Sequence, residues 1–174
     1  DSPRAVEYAT ASFGQGIAMS PISMTRALAA LANGGQIIRP HVVKRFEWKS
    51  VQAAKDIAPE IQRQVLTAST SEMITKMLVE VVDTKLANGT AKHEHYSVAA
   101  KTGTAQIAEP GGGYYDDRYL HSFFGYFPAT KPRFLIFMYL LQPQGVRYSS
   151  ETLTDPFVNL TKFLINYYQL TPDR

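Results

Sequence analysis

Cysteine is absent from the 174-residue chain. Disulfide frameworks, thiolate metal sites and cysteine nucleophiles are therefore excluded. Long apolar runs are absent too, because the longest, Phe134–Leu141, is far shorter than the roughly 20 residues of a membrane-spanning helix. The first residues carry no signal-peptide pattern. We therefore expect any membrane anchor to lie outside these residues, N-terminal to them.

Charge of either sign is sparse and nearly balanced. Lys and Arg total 18, Asp and Glu total 15, and the formal net charge is +3. Charged residues make up 19% of the chain and apolar residues 45%. This composition indicates one ordered domain with a buried core. Such a mild and dispersed positive charge argues against nucleic acid as a partner.

The most informative stretch is Ser97–Ile107, which surrounds the tetrapeptide Lys101-Thr102-Gly103-Thr104. Its β-branched and small residues alternate with period 2, which predicts a strand. Gly103 would weaken that strand, so its presence indicates that another backbone or a ligand comes close there. Lys101 is a cation, and the hydroxyls of Thr102 and Thr104 can donate to an anion. At a sheet edge the strand could also take up an extended peptide. We therefore predict a peptide ligand with a free carboxylate.

Neighbouring segments give this stretch a family context. Lys-Thr-Gly occurs together with Ser-x-x-Lys and Ser-Asp-Asn in penicillin-binding proteins and serine β-lactamases. Here Thr104-Ala105 extends the match, Gly89-Thr90-Ala91 precedes it, and Phe13-Gly14-Gln15-Gly16 lies near the start of the chain. The chain resembles the C-terminal part of the transpeptidase domain of class B penicillin-binding proteins. The resemblance runs from Ala11 to the last helix.

Sequence periodicity predicts three helices. Ser20-Pro21 starts the first, which ends at Asn33-Gly34-Gly35. Ser69 and Glu72 form a capping box for the second, which ends near Asn88-Gly89. Asp155-Pro156 starts the last. We interpret Asp1–Thr10 as a loop or frayed lead-in.

Strands are predicted within Gln36–Trp48, at His121–Pro128 and at Arg133–Leu141, the last buried on both faces because it is almost continuously apolar. Ser50–Gln64 is interpreted as a loop, with or without a helical turn. The glycine-rich segment Ala108–Leu120 is either a mobile connection over a cleft or an ordinary hairpin loop. The predicted fold class is α/β of the α+β type, a three-layer arrangement with an antiparallel sheet packed against helices. By resemblance it is the C-terminal portion of the penicillin-binding and serine β-lactamase-like fold.

The serine motifs of the family do not occur in this chain. No serine has a lysine three residues later, and none has an asparagine two residues later. Ser97 and Lys101 are four residues apart, which on a strand is roughly 13 Å and beyond hydrogen-bond reach. We therefore interpret residues 1–174 as a partial transpeptidase domain that lacks the segment with the nucleophile. This chain alone is expected neither to acylate nor to hydrolyse.

The resemblance implies roles for the tetrapeptide. Lys101 would supply positive potential and help the proton relay, and the hydroxyls of Thr102 and Thr104 would bind the carboxylate of a peptide or β-lactam. Gly103 would leave room for that ligand, and the Thr104 N–H would be one of two oxyanion donors. There are two departures from the family pattern. Ala100 replaces a glycine before the lysine, which concerns local packing, and Tyr148–Thr152 contains less glycine than expected, so the end of the last strand is expected to differ there.

Two further groups of side chains have chemistry that could serve a site. His93-Glu94-His95 with His121 could hold a metal, but solvated polar surface is the preferred interpretation, and no cofactor is implied. Tyr114, Tyr115 and Tyr119 are expected to be exposed, where they would stack on a sugar or pack on the strand.

The sequence therefore favours part of a peptidoglycan D,D-transpeptidase that is a target of β-lactams. The expected partners are stem peptides and β-lactams, together with the rest of the transpeptidase domain or a second copy of the chain, because the partial sheet should leave an exposed edge. The parent protein would be extracytoplasmic and anchored to the membrane. Two alternatives remain open: a non-catalytic interaction or sensor module, and a relative of serine β-lactamases.

Overall fold

The computed structural model describes residues 5–51 and 53–174. Within these residues the fold combines helices with antiparallel sheets, which confirms the predicted class. In chain order the elements are α1 (Ala5–Ala11), α2 (Pro21–Ala32), β1 (Gln36–Arg39), β2 (Arg45–Trp48), β3 (Ala53–Asp56), β4 (Glu60–Gln64), α3 (Ala68–Thr84), a short 3-10 helix (Leu86–Gly89), β5 (Ala99–Ala108), β6 (Tyr114–Phe127), β7 (Phe134–Leu141) and α4 (Ser149–Tyr167).

The chain divides into two compact units. The small unit is Ser20–Ile74, and the large unit holds the residues up to Met19 together with Thr75–Arg174. The tetrapeptide at Lys101 lies in the large unit, on β5.

The small unit consists of α2, two strand pairs and the start of α3. Helix α2 begins as predicted: the Ser20 hydroxyl accepts the N–H of Ser23 at 3.3 Å, and Pro21 occupies the first turn. The helix is followed by Gly34 and Gly35, whose φ angles of 81° and 93° suit glycine. Strand β1 pairs antiparallel with β4, and β2 with β3.

The large unit contains a three-stranded antiparallel sheet of order β5-β6-β7. In the β5–β6 register Lys101 faces Phe124, Gly103 faces Ser122 and Thr104 faces His121. Because side chains alternate along a strand, Thr102 and Thr104 lie on one face of the sheet and Lys101 and Gly103 on the other. Helix α4 contacts all three strands.

The core of the large unit lies on the face that carries α4. The Phe123 ring stacks on the Phe157 ring of α4 with centroids 4.4 Å apart. The buried cluster comprises Val82, Leu86, Tyr96, Val98, Ala100, Phe123, Phe127, Ile136, Leu153, Phe157, Ile165 and Leu170. The core therefore fixes α4 against the strand pair that carries the candidate site.

The helix predictions need three corrections. Ala5–Ala11 is helical, whereas Asp1–Thr10 was interpreted as a loop; of that range, the first four residues lie outside the described part. Its alanines favour a helix without forming the apolar stripe that would reveal one. Helix α3 begins at Ala68, and the Thr67 hydroxyl, rather than Ser69, accepts the N–H of Thr70 at 3.1 Å.

The last helix also begins earlier than predicted, at Ser149 instead of Asp155-Pro156. Its start is fixed by a Glu151 carboxylate oxygen that accepts the Tyr148 N–H at 3.1 Å. Pro156 lies inside the helix. The proline that resembled a helix start is therefore accommodated within α4. Because the helix begins six residues before Asp155, its first residue, Ser149, reaches the sheet and bonds Thr104.

The strand predictions were partly right. The strands at His121–Pro128 and Arg133–Leu141 are confirmed as β6, which is longer, and β7. The interpretation of Ser50–Gln64 as a loop was wrong, because this range contains β3 and β4. Both strands are exposed throughout, so no alternation of apolar residues marks them. The burial predicted for β7 was also wrong at its end, where Tyr139 and Leu141 are 52% and 61% exposed.

Candidate functional site

The tetrapeptide Lys101–Thr104 lies in the middle of β5, and within the described residues β5 pairs only with β6. The strand is therefore at a sheet edge, the position in which an extended peptide could add to it. Lys101 and Thr104 are exposed, and Thr102 and Gly103 are half-buried. The structure thus presents all four residues in an accessible row.

The Lys101 ammonium group folds back over the strand edge. Its Nζ donates to the Thr102 carbonyl at 2.9 Å and lies 3.5 Å from the Thr102 hydroxyl. Lys101 and Thr102 start on opposite faces of the sheet, yet the cation and the hydroxyl meet at the edge. A positive charge beside a hydroxyl donor can bind a carboxylate.

Gly103 is required by its own sheet. A β-carbon at this position would come 2.5 Å from the Ser122 hydroxyl oxygen on β6. That hydroxyl lies 3.4 Å from the Gly103 carbonyl, to which it donates. The close neighbour that the sequence indicated is therefore a side chain of the adjacent strand, and room for a ligand at Gly103 stays a prediction.

The Thr104 hydroxyl is held by the start of α4. Its oxygen accepts the backbone N–H of Ser149 at 3.0 Å. The first N–H groups of a helix have no partner within the helix, so this bond satisfies one of them. A threonine hydroxyl carries one proton and two lone pairs. When the oxygen accepts from Ser149, its proton stays available for an acceptor on a ligand.

The substitution at Ala100 is accommodated by Gly125 on the neighbouring strand. Ala100 is completely buried. A β-carbon on Gly125 would stand 2.8 Å from the Ala100 methyl group and 2.4 Å from the Phe157 ring. The Ala100 methyl group therefore fits into the space that the missing side chain of Gly125 leaves, and β5 stays regular at this position.

The sequence considered His121 only as a metal ligand, but the structure gives it another environment. His121 is 0% exposed. Its Nδ1 lies 2.9 Å from the Thr152 hydroxyl and its Nε2 lies 2.9 Å from the Arg147 carbonyl. It thus bonds the segment before α4 and the first turn of that helix. The sequence signal for this role is a polar residue within an otherwise apolar strand. The sequence does not show which helix such a residue contacts.

The Ser97–Lys101 dyad has no support, as the strand spacing predicted. The Ser97 N–H donates to Asp173 at 2.7 Å, and the Ser97 hydroxyl donates to the same carboxylate. The hydroxyl oxygen also accepts the Ala129 N–H at 2.9 Å. Ser97 therefore anchors the C-terminal segment instead of serving Lys101.

The other histidines do not join His121. His93 is half-buried, with its ring edge-on to Tyr96 at 4.8 Å. Burial, followed by the positive charge of Lys162, lowers the pKa of His93. Across residues 5–51 and 53–174, no three His, Asp or Glu side chains form a group that could hold a metal ion.

The tyrosines of the glycine-rich segment are less exposed than predicted. Tyr114, Tyr115 and Tyr119 are half-buried. The Arg118 guanidinium lies 4.0 Å from the Tyr115 ring centroid, and the Tyr119 hydroxyl donates to the Asp116 carbonyl at 2.6 Å. Tyr115 and Tyr119 thus contact residues of their own strand, and stacking on a sugar stays a prediction. Of Ala108–Leu120, only residues 109–113 form the turn of the β5–β6 hairpin. The rest of the predicted loop belongs to β5 and β6, so the loop is shorter than predicted.

Comparison with known proteins shows the family of the chain. The sequence model of the penicillin binding protein transpeptidase domain matches residues 1–161. Stage V sporulation protein D of Bacillus subtilis is 34% identical over 159 residues, which cover 88% of this chain and 24% of that protein. A peptidoglycan D,D-transpeptidase FtsI homolog of Mesostigma viride is 31% identical over 183 residues, covering 96% of this chain and 30% of that protein.

A solved structure shows the same fold. The penicillin binding protein 3 of Mycobacterium tuberculosis, crystallised in complex with aztreonam, superposes with a TM-score of 0.80 at 28% identity. The match covers 96% of this chain and 39% of that one. The chain belongs to the penicillin-binding protein transpeptidase family. Within the family, its relatives and structural neighbour fit the class B penicillin-binding proteins, as the residues around Lys101 predicted.

The chain spans about a quarter to two fifths of the length of these relatives. In the described part, none of the helices combines the length and the apolarity that a membrane span requires.

Proposed function

We propose that these residues form the carboxylate-binding part of a peptidoglycan D,D-transpeptidase. The exposed edge strand β5 carries the proposal, because it presents the Lys101 cation and the Thr102 and Thr104 hydroxyls side by side. Their ligand would be the terminal carboxylate of a D-alanyl-D-alanine stem peptide, or the carboxylate of a β-lactam. β-Lactam binding is supported by the aztreonam complex of the structural neighbour.

The reaction would be acyl transfer by a serine outside these residues. That serine attacks the carbonyl of the penultimate D-alanine, the last D-alanine leaves, and an amine of a neighbouring stem peptide accepts the acyl group. Lys101 supplies positive potential and assists the proton relay. The Thr104 N–H serves as one oxyanion donor. Because Ser-x-x-Lys and Ser-x-Asn are absent here, residues 1–174 act as the substrate-binding part of the domain.

The whole protein would act outside the cytoplasm, anchored through a segment beyond these residues. Its partners would be peptidoglycan stem peptides and the rest of the transpeptidase domain. That assignment follows from the family and from the open edges of the three-stranded sheet in the described residues.

Intact-protein mass spectrometry with a penicillin tests the proposal. The complete gene product should gain one penicilloyl adduct on a serine outside these residues, and the isolated chain should gain none. Lys101→Met should slow acylation by about tenfold or more, since hydrogen bonds to charged groups contribute about 1.5–3 kcal/mol. Lys131→Met, at an exposed lysine between β6 and β7, is the matched control and should leave the rate unchanged.

Three results would contradict the proposal. An unreactive complete protein would favour a non-catalytic module. Rapid turnover of the penicillin without a lasting adduct would favour a β-lactamase. An adduct on a serine of this chain would show that the nucleophile lies among the serines excluded above.

A further inference from the structure

The buried histidine of β6 connects the candidate carboxylate site to helix α4. His121 and Thr104 are direct partners in the β5–β6 register, so their side chains lie on the same face of the sheet. Both bond the region where α4 begins: Thr104 accepts from Ser149, and His121 contacts Arg147 before the helix and Thr152 in its first turn. His121 is fully buried, whereas Thr104 is exposed.

The bond to Arg147 fixes one hydrogen of the His121 ring. The Arg147 carbonyl can only accept, so Nε2 must carry a hydrogen and donate to it. Nδ1 pairs with the Thr152 hydroxyl at 2.9 Å, and the same hydroxyl donates to the Ser149 carbonyl at 3.3 Å. The partners of His121 flank Ser149 in the sequence. His121 therefore fixes the chain on both sides of the residue that donates to Thr104.

The bond from Ser149 determines what Thr104 can do. The Ser149 N–H occupies one lone pair of the Thr104 hydroxyl at 3.0 Å. The hydroxyl proton can then point away from α4, toward an acceptor at the strand edge. A carboxylate has only acceptors, so it needs this orientation of the hydroxyl.

We propose that His121 is a positioning residue for the carboxylate-binding hydroxyl of Thr104, acting through the first turn of α4. His121 holds the Arg147–Thr152 segment on the sheet, the Ser149 N–H then meets the Thr104 oxygen, and Thr104 presents its proton to the ligand. The inference rests on the proposed function, which assigns the ligand carboxylate to Thr104. It adds a buried residue that makes no contact with the ligand yet determines recognition of its free carboxylate.

Amide hydrogen exchange of the chain tests the connection without any activity. His121→Phe fills the site but makes neither bond, and Thr104→Val removes the acceptor. In both variants the Ser149 amide should exchange roughly tenfold faster or more, as expected for loss of a bond of about 1.5 kcal/mol. Ser149→Ala is the matched control, because it removes the buried Ser149 hydroxyl, which has no partner among the described atoms, and keeps the N–H. Its amide should exchange as in the unmodified chain.

Acylation of the complete gene product tests the effect on recognition. The ratio of acylation rates for a penicillin and its methyl ester measures recognition of the free carboxylate. His121→Phe should lower this ratio roughly tenfold, with no further loss in the Thr104→Val background. His121→Gln, which retains one donor and one acceptor, should restore part of it. If His121→Phe fails to fold, Thr152→Val removes the Nδ1 partner together with the Thr152 bond to the Ser149 carbonyl, and it should lower the ratio in the same direction.

The outcomes separate the two proposals. An equal slowing of acid and ester by His121→Phe, or an effect additive with Thr104→Val, would overturn the positioning role. Unchanged exchange of the Ser149 amide in His121→Phe would do so as well. Absence of acylation in the unmodified complete protein would overturn the proposed function itself, while the exchange experiment would still report whether His121 holds Ser149.

Discussion

The hydroxyl of Ser122 occupies the space that a β-carbon on Gly103 would need, at a distance of 2.5 Å. The next nearest atoms of Ser122 are at 3.9 and 4.0 Å, so the conflict involves only the end of one side chain. Gly103→Ala should therefore lower the free energy of unfolding of the chain by about 1 kcal/mol, the lower end for overpacking. Urea denaturation measures this change.

The Ser122→Ala variant separates the two interpretations of Gly103. In that background Gly103→Ala should cost almost nothing in stability, because the remaining contact at 3.9 Å is ordinary. If ligand binding also needs the space, the double variant of the complete protein will be stable but slow to acylate. A stable double variant with full activity would show that the glycine serves the sheet alone. Gly125→Ala is a positive control and should cost more, since the Phe157 ring cannot move aside within the core.

Because of Asp173, we predict that the large unit loses stability as the pH falls into the acid range. Burial alone would raise the pKa of Asp173, but hydrogen bonds donated by Ser97 and Thr130 outweigh it and hold the pKa below its ordinary value of 3.8. A lowered pKa in the folded state stabilises the fold above pH 3.8, and this contribution is lost as the pH falls through the lower folded value.

The Asp173→Asn variant checks that linkage. It should be less stable than the unmodified chain at pH 7, and the difference should shrink below about pH 4 as the aspartate becomes protonated. Asp155→Asn, at an exposed position on α4, should follow the unmodified chain throughout. If the stability difference between Asp173→Asn and the unmodified chain stays constant down to pH 2, the stabilisation does not depend on the ionised Asp173 carboxylate. Denaturant unfolding at a series of pH values is the measurement.

The end of β7 is predicted to drive association of the isolated chain. Tyr139 and Leu141 are exposed on a strand that, in the described residues, pairs only with β6. Open apolar edges promote pairing with another chain. Leu141→Lys should reduce the concentration-dependent rise in mass seen by sedimentation velocity. Val42→Lys, at an exposed apolar position of the small unit, should not. A monomeric unmodified chain at all concentrations would contradict this prediction.

Features that depend on neighbouring residues in the sequence were predicted well. Ser20-Pro21 encodes its own helix start, because the hydroxyl needs only the N–H three residues later. The β5 strand follows from alternation around Lys101. Exposed strands β3 and β4 were missed since neither face is buried, so no period marks them. The start of α4 was misplaced because Asp155-Pro156 has the chemistry of a helix start.

The sequence by itself determined the family, the fold class and the identity of the tetrapeptide Lys101–Thr104, since these are written in short motifs and local periods. Only the tertiary structure decided that Ser122 requires the glycine of this motif, that Ser149 bonds its last threonine, and that His121 bonds the nearby Arg147 carbonyl. The physical reason is distance along the chain. Thr104 and Ser149 are 45 residues apart, and their hydrogen bond depends on strand register and on where α4 meets the sheet, neither of which a local pattern encodes.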